Sequence, residues 1–431
     1  SFGTNVQSGY LSLPTGPVDQ QFSFERELST GFRDDRDYRN LAGSYEAQLR
    51  TSLGTTRVLL SGLDRPFGAD QFYGNYNSWE RTKTWFSSLH QDLGANTDFS
   101  LSYRRHTDLY VLLRNNPAYY TNRHEDDTWD AALRRKDDFT HTASLHYGAE
   151  GIADAVESTN LGYHRRRRAA VYADFDIRAL RRFSFTVGAR EEIYGSGQTV
   201  FAPTASGSFW VNAKIKLRGS ASRAFRLPNY TDLYYHDPAN IGNPFLKPEK
   251  AVTYEGGADV FLSRRLRFGA TVFTRRDRND IDYVRSSPDE PWQAMNFQQL
   301  SFRGVELALQ ARLTGSQQVE VQYTGLHGSA SAAAVLQSKY LFTYPGEQAV
   351  ATWQLFTHGW LARTRLGVLN RIARDPYALW DVDIAWTEHR IRPYLQLSNI
   401  SDTRYQEIAG VVMPGRSALV GIELCLICKS K

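Results

Sequence analysis

The feature that most constrains this chain is a period of two, repeated along nearly its whole length. Between Val171 and Ala179 every second residue is apolar (Val171, Ala173, Phe175, Ile177, Ala179), with Asp174, Asp176 and Arg178 between them. Phe183, Phe185, Val187 and Ala189 repeat the pattern, as do Val211, Ala213, Ile215 and Leu217. Val305 to Leu313 and Ile391 to Leu397 do so again. Successive side chains of a strand point to opposite faces, so each run has one apolar and one polar face.

A soluble sandwich could bury such apolar faces, but two features favour a lipid-facing wall. Many runs reach nine or more residues, the length a tilted strand needs to cross hydrocarbon. Lys214, Lys216 and Arg218 stand mid-run on the polar face, which suits a wet lumen. Mean hydropathy is −0.48, and no stretch approaches the roughly 20 apolar residues of a membrane helix. A barrel strand shows lipid only alternate residues, so this value is compatible with a barrel. The predicted fold is all-β: a transmembrane antiparallel β-barrel with about 21 strands in a single domain over residues 1–431.

Short turns at Ser52–Gly54, Asp92–Asn96 and Thr314–Gln317 alternate with long connections near 64–77, 113–126, 226–250, 276–296 and 327–346. Short periplasmic turns and long extracellular loops are the asymmetry of outer-membrane barrels. Ser329–Ala334 reads as a loop tip. The net charge is +5, spread along the chain, which argues against a nucleic-acid partner. The two cysteines, Cys425 and Cys428, lack further ligands at zinc spacing.

Two local signatures are more specific. The first runs Ser222-Arg-Ala-Phe-Arg226-Leu-Pro228-Asn-Tyr230-Thr-Asp-Leu-Tyr234, followed by Gly242-Asn243-Pro244-Phe-Leu246-Lys-Pro248-Glu249-Lys250. The second is Asn399-Ile-Ser-Asp402-Thr-Arg-Tyr405, followed by Pro414-Gly415-Arg416 and a final strand. Together they resemble the TonB-dependent outer-membrane receptors, including the vitamin B12 and ferric-siderophore receptors. The resemblance implies a 22-stranded barrel around an N-terminal plug. It also implies a ligand held by extracellular loops and plug apices, and import energised through TonB. Ser1-Phe2-Gly3-Thr4 resembles the tip of the first extracellular loop, so the plug and first strand are expected to be missing from this stretch. The usual terminal aromatic is replaced by a tail ending Ile427-Cys428-Lys429-Ser430-Lys431. A chain without plug and first strand is not expected to perform energised transport.

The candidate ligand-binding residues are loop aromatics: Phe72, Tyr73, Tyr76, Tyr119, Tyr120, Tyr230, Tyr235 and Trp292. Flat rigid rings can stack on a planar ligand, or sit in the interfacial girdle; Trp79 and Tyr234 fit the girdle or loop packing better. Arg165, Arg166, Arg167 and Arg168 are expected at an outer loop. With the lumen bases they could attract an anionic chelate, or pair with lipopolysaccharide and plug carboxylates. Arg226 to Pro248 is expected to form an ordered loop returning into the barrel. Acidic groups at Asp34, Asp35 and Asp37, at Glu125–Asp127, and at Asp277, Asp280 and Asp282 could hold loop-bound calcium. No other cofactor is expected, and the metal content is open. His106, His124 and His164 are dispersed in the sequence and no Gly-x-Ser-x-Gly elbow occurs, so no enzyme is expected. The expected function is outer-membrane uptake of a scarce nutrient such as a ferric siderophore or cobalamin. A passive large porin and a non-functional receptor fragment are the alternatives.

Overall fold

The computed structural model describes every residue except 181, 196, 298, 331–336, 341–343, 373, 409 and 427–431. Part of the Ser329–Ala334 loop tip and the C-terminal tail therefore lie outside the described residues.

The first half of the wall is β1 (Asn5–Thr15), β2 (Val18–Ser29), β3 (Tyr38–Thr51), β4 (Gly54–Asp70), β5 (Asn77–Leu93) and β6 (Thr97–Val111). It continues with β7 (Thr121–Thr140), β8 (Ala143–Ser158), β9 (Gly162–Leu180), β10 (Phe183–Tyr194), β11 (Gln198–Asn212) and β12 (Ile215–Arg226). A short helix, α1 (Tyr230–Tyr234), and a two-residue strand, β13 (Asn240–Ile241), lie in the next connection. The wall resumes with β14 (Glu249–Ser263) and β15 (Leu266–Arg278). A hairpin, β16 (Asp280–Arg285) and β17 (Trp292–Phe297), precedes β18 (Leu300–Arg312) and β19 (Gln317–Ala330). After β20 (Gln337–Ser338), the wall ends with β21 (Pro345–Thr357), β22 (Trp360–Arg371), β23 (Tyr377–Trp386), β24 (Ile391–Ser398) and β25 (Ser417–Leu424).

Twenty-one of these strands form one sheet. Each wall strand pairs antiparallel with its neighbours in sequence, as in β1–β2, β12–β14 and β24–β25. An odd number of alternating strands makes the two edges, β1 and β25, run in the same direction. The edges meet at the long-loop rim, where the Ser1 amino group donates to Ala418 O at 2.6 Å and Ala418 N donates to Ser1 Oγ at 3.0 Å.

The alternation sorts onto the two faces of the wall. Phe209 pairs opposite Leu217, and both are exposed on the outside. The intervening Lys216 and Arg218 face the lumen with Trp210 and Ser208. Arg218 donates to Thr271 at 2.5 Å and lies 3.5 Å from Asp259. Lys216 stands 5.9 Å over the Trp210 ring.

Lys214 does not line the lumen. Chain reversal occurs at Ala213–Lys214, where Asn212 Oδ1 accepts from Lys214 N and Ile215 N at 2.8 and 3.0 Å. A two-residue turn alone would exchange odd for even positions, but a β-bulge between Trp210 and Asn212 restores odd positions to the outside on both strands, so the period of two runs through the reversal without a break.

The wall is uneven in height. β4 to β9 have 15 to 20 residues each, whereas β23 to β25 have 8 to 10. About 10 residues cross the hydrocarbon, so the tall side stands well above it. The expected loop at 64–77 shrinks to a tip between Asp70 and Asn77, and that at 113–126 ends at Thr121. The 276–296 connection contains the β16–β17 hairpin, and β19 continues to Ala330 inside the expected 327–346 loop.

Candidate functional site

The first signature is the foundation of the long connection after β12. Arg226 and Glu249 close it as opposite partners in the β12–β14 ladder. Arg226 Nε and Nη2 each donate to a Glu249 carboxylate oxygen at 2.6 Å, and Nη1 donates to Asp232 at 3.1 Å. Asn229 caps α1: its Oδ1 accepts from Asp232 N at 2.6 Å, and Asp232 Oδ2 accepts from Asn229 N at 3.1 Å. This reciprocal capping box satisfies donors that a one-turn helix would otherwise leave open. Pro228 is buried, and its carbonyl accepts from Arg166 at 2.8 Å.

The return of the connection needs Gly242, where a Cβ would lie 2.8 Å from Tyr235 N. Asn243 N donates to Asp232 O at 2.8 Å, and Asn243 Oδ1 accepts from Phe245 N at 2.9 Å. Pro244, Leu246 and Pro248 complete the turn into Glu249, which also accepts from Ile281 N at 2.7 Å.

The connection thereby bends onto the luminal side of β8 and β9. Tyr230 donates to Asp154 at 2.8 Å, with the Arg166 guanidinium 5.3 Å above its ring. His164 stacks on Tyr234 at 3.6 Å and 4°. Asn160 and His236 exchange two hydrogen bonds of 2.7 and 3.0 Å.

A second layer forms around it. β13, β17, β16 and β20 make a four-stranded sheet from three separate connections. The Lys339 ammonium lies 5.6, 6.0 and 5.4 Å from the Tyr283, Trp292 and Tyr340 rings. It donates to Asn240 Oδ1 at 2.7 Å. Burial lowers the Lys339 pKa from its usual range. Arg285 stands 4.3 Å over Trp292. A further aromatic chain crosses the β5–β7 rim, from Tyr73 to Tyr110 at 5.0 Å and from Tyr110 to Tyr120 at 6.4 Å. Burial, then the Tyr120 hydroxyl, pushes the Tyr235 pKa up, joining the chain to the α1 connection.

Of the eight aromatics singled out from sequence, Tyr73, Tyr120 and Tyr235 come together, Tyr230 joins His164, and Trp292 enters the loop sheet. Phe72 packs at 5.1 Å on Tyr73 and beneath Arg36. Tyr76 and Tyr119 are exposed and make no aromatic pair among the described residues.

The four-arginine run is not in a loop. It lies on β9, where Arg165 and Arg167 point outward and are exposed, while Arg166 and Arg168 point into the lumen. Arg168 bonds Glu192 at 3.3 Å, and Arg190 joins Glu192 and Glu150 in the same luminal network.

The acidic stretches are largely committed elsewhere. Glu125, Asp126 and Asp127 lie on β7 and alternate between faces, so they cannot converge as a loop would. Arg105 holds Asp127 at 2.7 Å and Glu125 at 3.1 Å. Arg114 binds Asp35 and Asp37, and its hydrogen bond holds the Asp37 carboxyl below its usual pKa. Asp277 lies on β15 and takes Arg275 at 2.7 Å; Asp282 accepts from Tyr283 N and Ser338. Among the described residues no group of three His, Cys, Asp or Glu side chains is placed to hold a metal.

Sequence reading missed Tyr110, Tyr283, Lys339 and the pairing of two histidines. His106 lies opposite Asp126, and Asp108 opposite His124, across β6–β7 on the luminal face. The repeated His-x-Asp (106–108 and 124–126) was the available signal.

The second signature folds the last long connection. Asn399 and Asp402 both take positive φ, 48° and 54°. Asn399 Oδ1 accepts from Thr403 N at 2.9 Å, and Asp402 Oδ1 accepts from Arg416 N at 2.8 Å. A Cβ on Gly415 would meet Asp402 Oδ1 at 2.7 Å. Tyr405 packs on Tyr377 at 5.0 Å. Both signatures therefore map to loop anchors at one rim.

Residues 18–400 match the family described as TonB dependent receptor-like, beta-barrel. The chain belongs to this family. A stretch of 183 residues is 28% identical to the vitamin B12 transporter BtuB of Photobacterium profundum. That stretch covers 39% of this chain and 28% of the transporter's length. The siderophore receptor PirA from Pseudomonas aeruginosa superposes with a TM-score of 0.74 at 16% identity, over 97% of this chain and 75% of that one. The copper transporter OprC superposes with a TM-score of 0.81 at 13% identity, over 98% and 79%. At such identities the superpositions speak for the fold. This TonB-dependent receptor barrel is an outer-membrane protein of a receptor family, not of an enzyme family.

Proposed function

We propose that this chain is the barrel of a TonB-dependent receptor that takes up a scarce nutrient, a ferric siderophore or a cobalamin. The observation that carries the reading is the interlocked mouth. Three long connections build one sheet, pinned by Lys339, Trp292 and Asn240, and the α1 connection leans inward onto Asp154 and His164. An ordered rim rich in aromatic and basic groups suits recognition of a bulky chelate. An unobstructed pore needs no such construction.

In this reading Trp292, Tyr230, Tyr235, Tyr73 and Tyr120 offer ring faces, and Arg285 and Arg166 supply positive charge. Tyr76, Tyr119 and Phe72 sit at the outer tips for first contact. The luminal Arg168, Lys216 and Arg218 face a plug supplied by the full-length receptor, and TonB engages that plug from the periplasm. The identical direction of β1 and β25 supports one further strand of opposite direction between them.

The test is competition binding of radiolabelled cobalamin and ferric siderophores to cells carrying the full-length receptor. Saturable, competable binding of one class, weakened by Trp292→Ala, is expected. Ohmic channel conductance in planar bilayers, with no saturable binding, would establish the porin alternative.

A further inference from the structure

Folding gathers charge at the short-turn end of the wall, on one side only. The turns β9–β10, β11–β12, β14–β15 and β18–β19 stand next to one another along that rim. Residues 178–184, 208–218, 260–268 and 309–319 form these turns and their flanks, and they contain no Asp or Glu. They carry Arg178, Arg182, Lys214, Arg264, Arg265 and Arg312, all exposed. Neighbouring strands lie about 4.8 Å apart, so successive hairpin turns are about 10 Å apart and the row is about 30 Å long.

These six cations have no partners of their own. Their charged head groups make no ion pair or hydrogen bond among the described residues; Lys214 and Arg265 donate only through the backbone, to Asn212 Oδ1 and Ser263 Oγ. Elsewhere along the same rim the cations are paired. Lys136 holds Asp138 at 2.9 Å, Arg57 lies 3.7 Å from Asp92, and Arg392 holds Glu423 at 2.7 Å. The row is therefore a local excess of positive charge and not a property of the whole rim.

The last two turns also form a hollow. Phe261, Arg264, Arg265, Arg267 and Arg312 line a space of about 270 Å³, and Arg312 N donates to Arg265 O at 2.8 Å, tying the turns together. Arg267 stands 5.3 Å over the Phe261 ring and holds Asp259 at 3.1 Å. Phe261 stacks on Trp210 at 5.4 Å. Arg267 and Arg312 share the luminal face with Asp259 and Gln310, so a phospholipid head group outside the wall does not reach them.

We propose that this arc of the periplasmic rim docks the cell wall, through the free carboxylates of peptidoglycan stem peptides. The short turns face the periplasm, where peptidoglycan is the extended polyanion. Guanidinium groups suit carboxylates. Each contact at an exposed site is weak, but carboxylates repeated along one glycan strand engage several turns at once and add through effective concentration. A compact anion would occupy one turn and leave the rest of the row unused. The arc lies at the opposite end of the barrel from the mouth and does not rest on the proposed nutrient.

The experiment is co-sedimentation of the full-length receptor, in detergent, with purified peptidoglycan sacculi. The receptor is expected to pellet with native sacculi, to be displaced by soluble muropeptides and by raised salt, and to stay in solution when the sacculus carboxylates have been amidated. Lys214→Gln/Arg264→Gln/Arg265→Gln/Arg312→Gln is expected to bind about ten-fold more weakly. Heat-modifiable gel mobility reports whether this variant is folded; if it is not, Arg264→Gln/Arg265→Gln, confined to one exposed turn, carries the test with a smaller loss. No sedimentation with native sacculi would leave the arc to carboxylates of the receptor's own plug and overturn the proposal. Equal sedimentation with amidated sacculi, displacement by short-chain phosphatidylglycerol as complete as by muropeptides, or undiminished binding by a folded variant each overturns it as well.

Discussion

Arg226 and Glu249 face each other across the β12–β14 ladder, joined by two hydrogen bonds of 2.6 Å each. One pair thus sets where the chain leaves the wall and where it returns. Glu249 also accepts from Ile281 N, and Arg226 also donates to Asp232, so the α1 connection and the β16–β17 hairpin share one anchor.

Arg226→Gln removes the two-pronged contact and leaves Glu249 short of a partner. A charge-assisted pair of this kind is worth about 1–3 kcal/mol, at the lower end here because Arg226 is half-exposed. Limited proteolysis of intact cells should cut the 227–248 segment faster in the variant, with barrel heat-modifiability unchanged. Equal cleavage rates would show that the pair does not order the connection.

Asp280 makes the hairpin sensitive to pH. Burial, then the nearby carboxylates of Glu249 and Asp277, raises its pKa from 3.8 to about 7. A raised carboxyl pKa gives stability that is complete below the unfolded value and is lost as pH rises through the folded one. The window therefore runs from about pH 4 to about pH 7. Hydrogen exchange, corrected for intrinsic rate, should show 280–297 losing protection across that range. Asp280→Asn should flatten the profile; an unchanged profile in that variant would assign the effect to another group.

Much of the wall could be read from sequence because lipid on one side and water on the other impose the period of two. The 21 strands, the short turns and the outward Phe183, Val187 and Leu217 follow from that alone. The reading failed where lipid no longer sorts the faces. Above the membrane both faces of β7 and β9 are wet, so Glu125–Asp127 and Arg165–Arg168 are polar at consecutive positions and resemble loops. Lys214 lies in a turn that the pattern does not mark, because the β-bulge between Trp210 and Asn212 offsets the change of parity at the reversal. The Lys339 contacts join residues distant in sequence, which no local pattern can reveal.

Trp292 and Lys339 are predicted to act on recognition rather than stability. Trp292→Ala removes the ring beneath Arg285 and beside Lys339, a contact worth about 0.5–2 kcal/mol. Ligand affinity should fall by roughly three- to thirty-fold, while the barrel's Tm stays within a few degrees. Trp292→Phe should recover part of the loss. A fall in Tm with unaltered affinity would make Trp292 a packing residue.

Asn399 accepts from Thr403 N through Oδ1, and its amide nitrogen donates to Thr403 O and Pro414 O at 2.9 and 3.3 Å. It also holds a positive φ. Asn399→Ala should therefore destabilise the last connection by about 1–3 kcal/mol. The yield of heat-modifiable protein in the outer membrane should drop, and Asn399→Asp, which keeps the Oδ1 acceptor, should lose less. Full yield from the alanine variant would contradict an anchoring role.

The most direct measurement is uptake by cells that lack their other receptors and carry the full-length form of this one. Labelled ferric siderophore or cobalamin should accumulate when TonB is present and stop accumulating, though still bind, when TonB is deleted. Accumulation that is equal with and without TonB, rising linearly with external concentration, would contradict the account and leave a passive barrel.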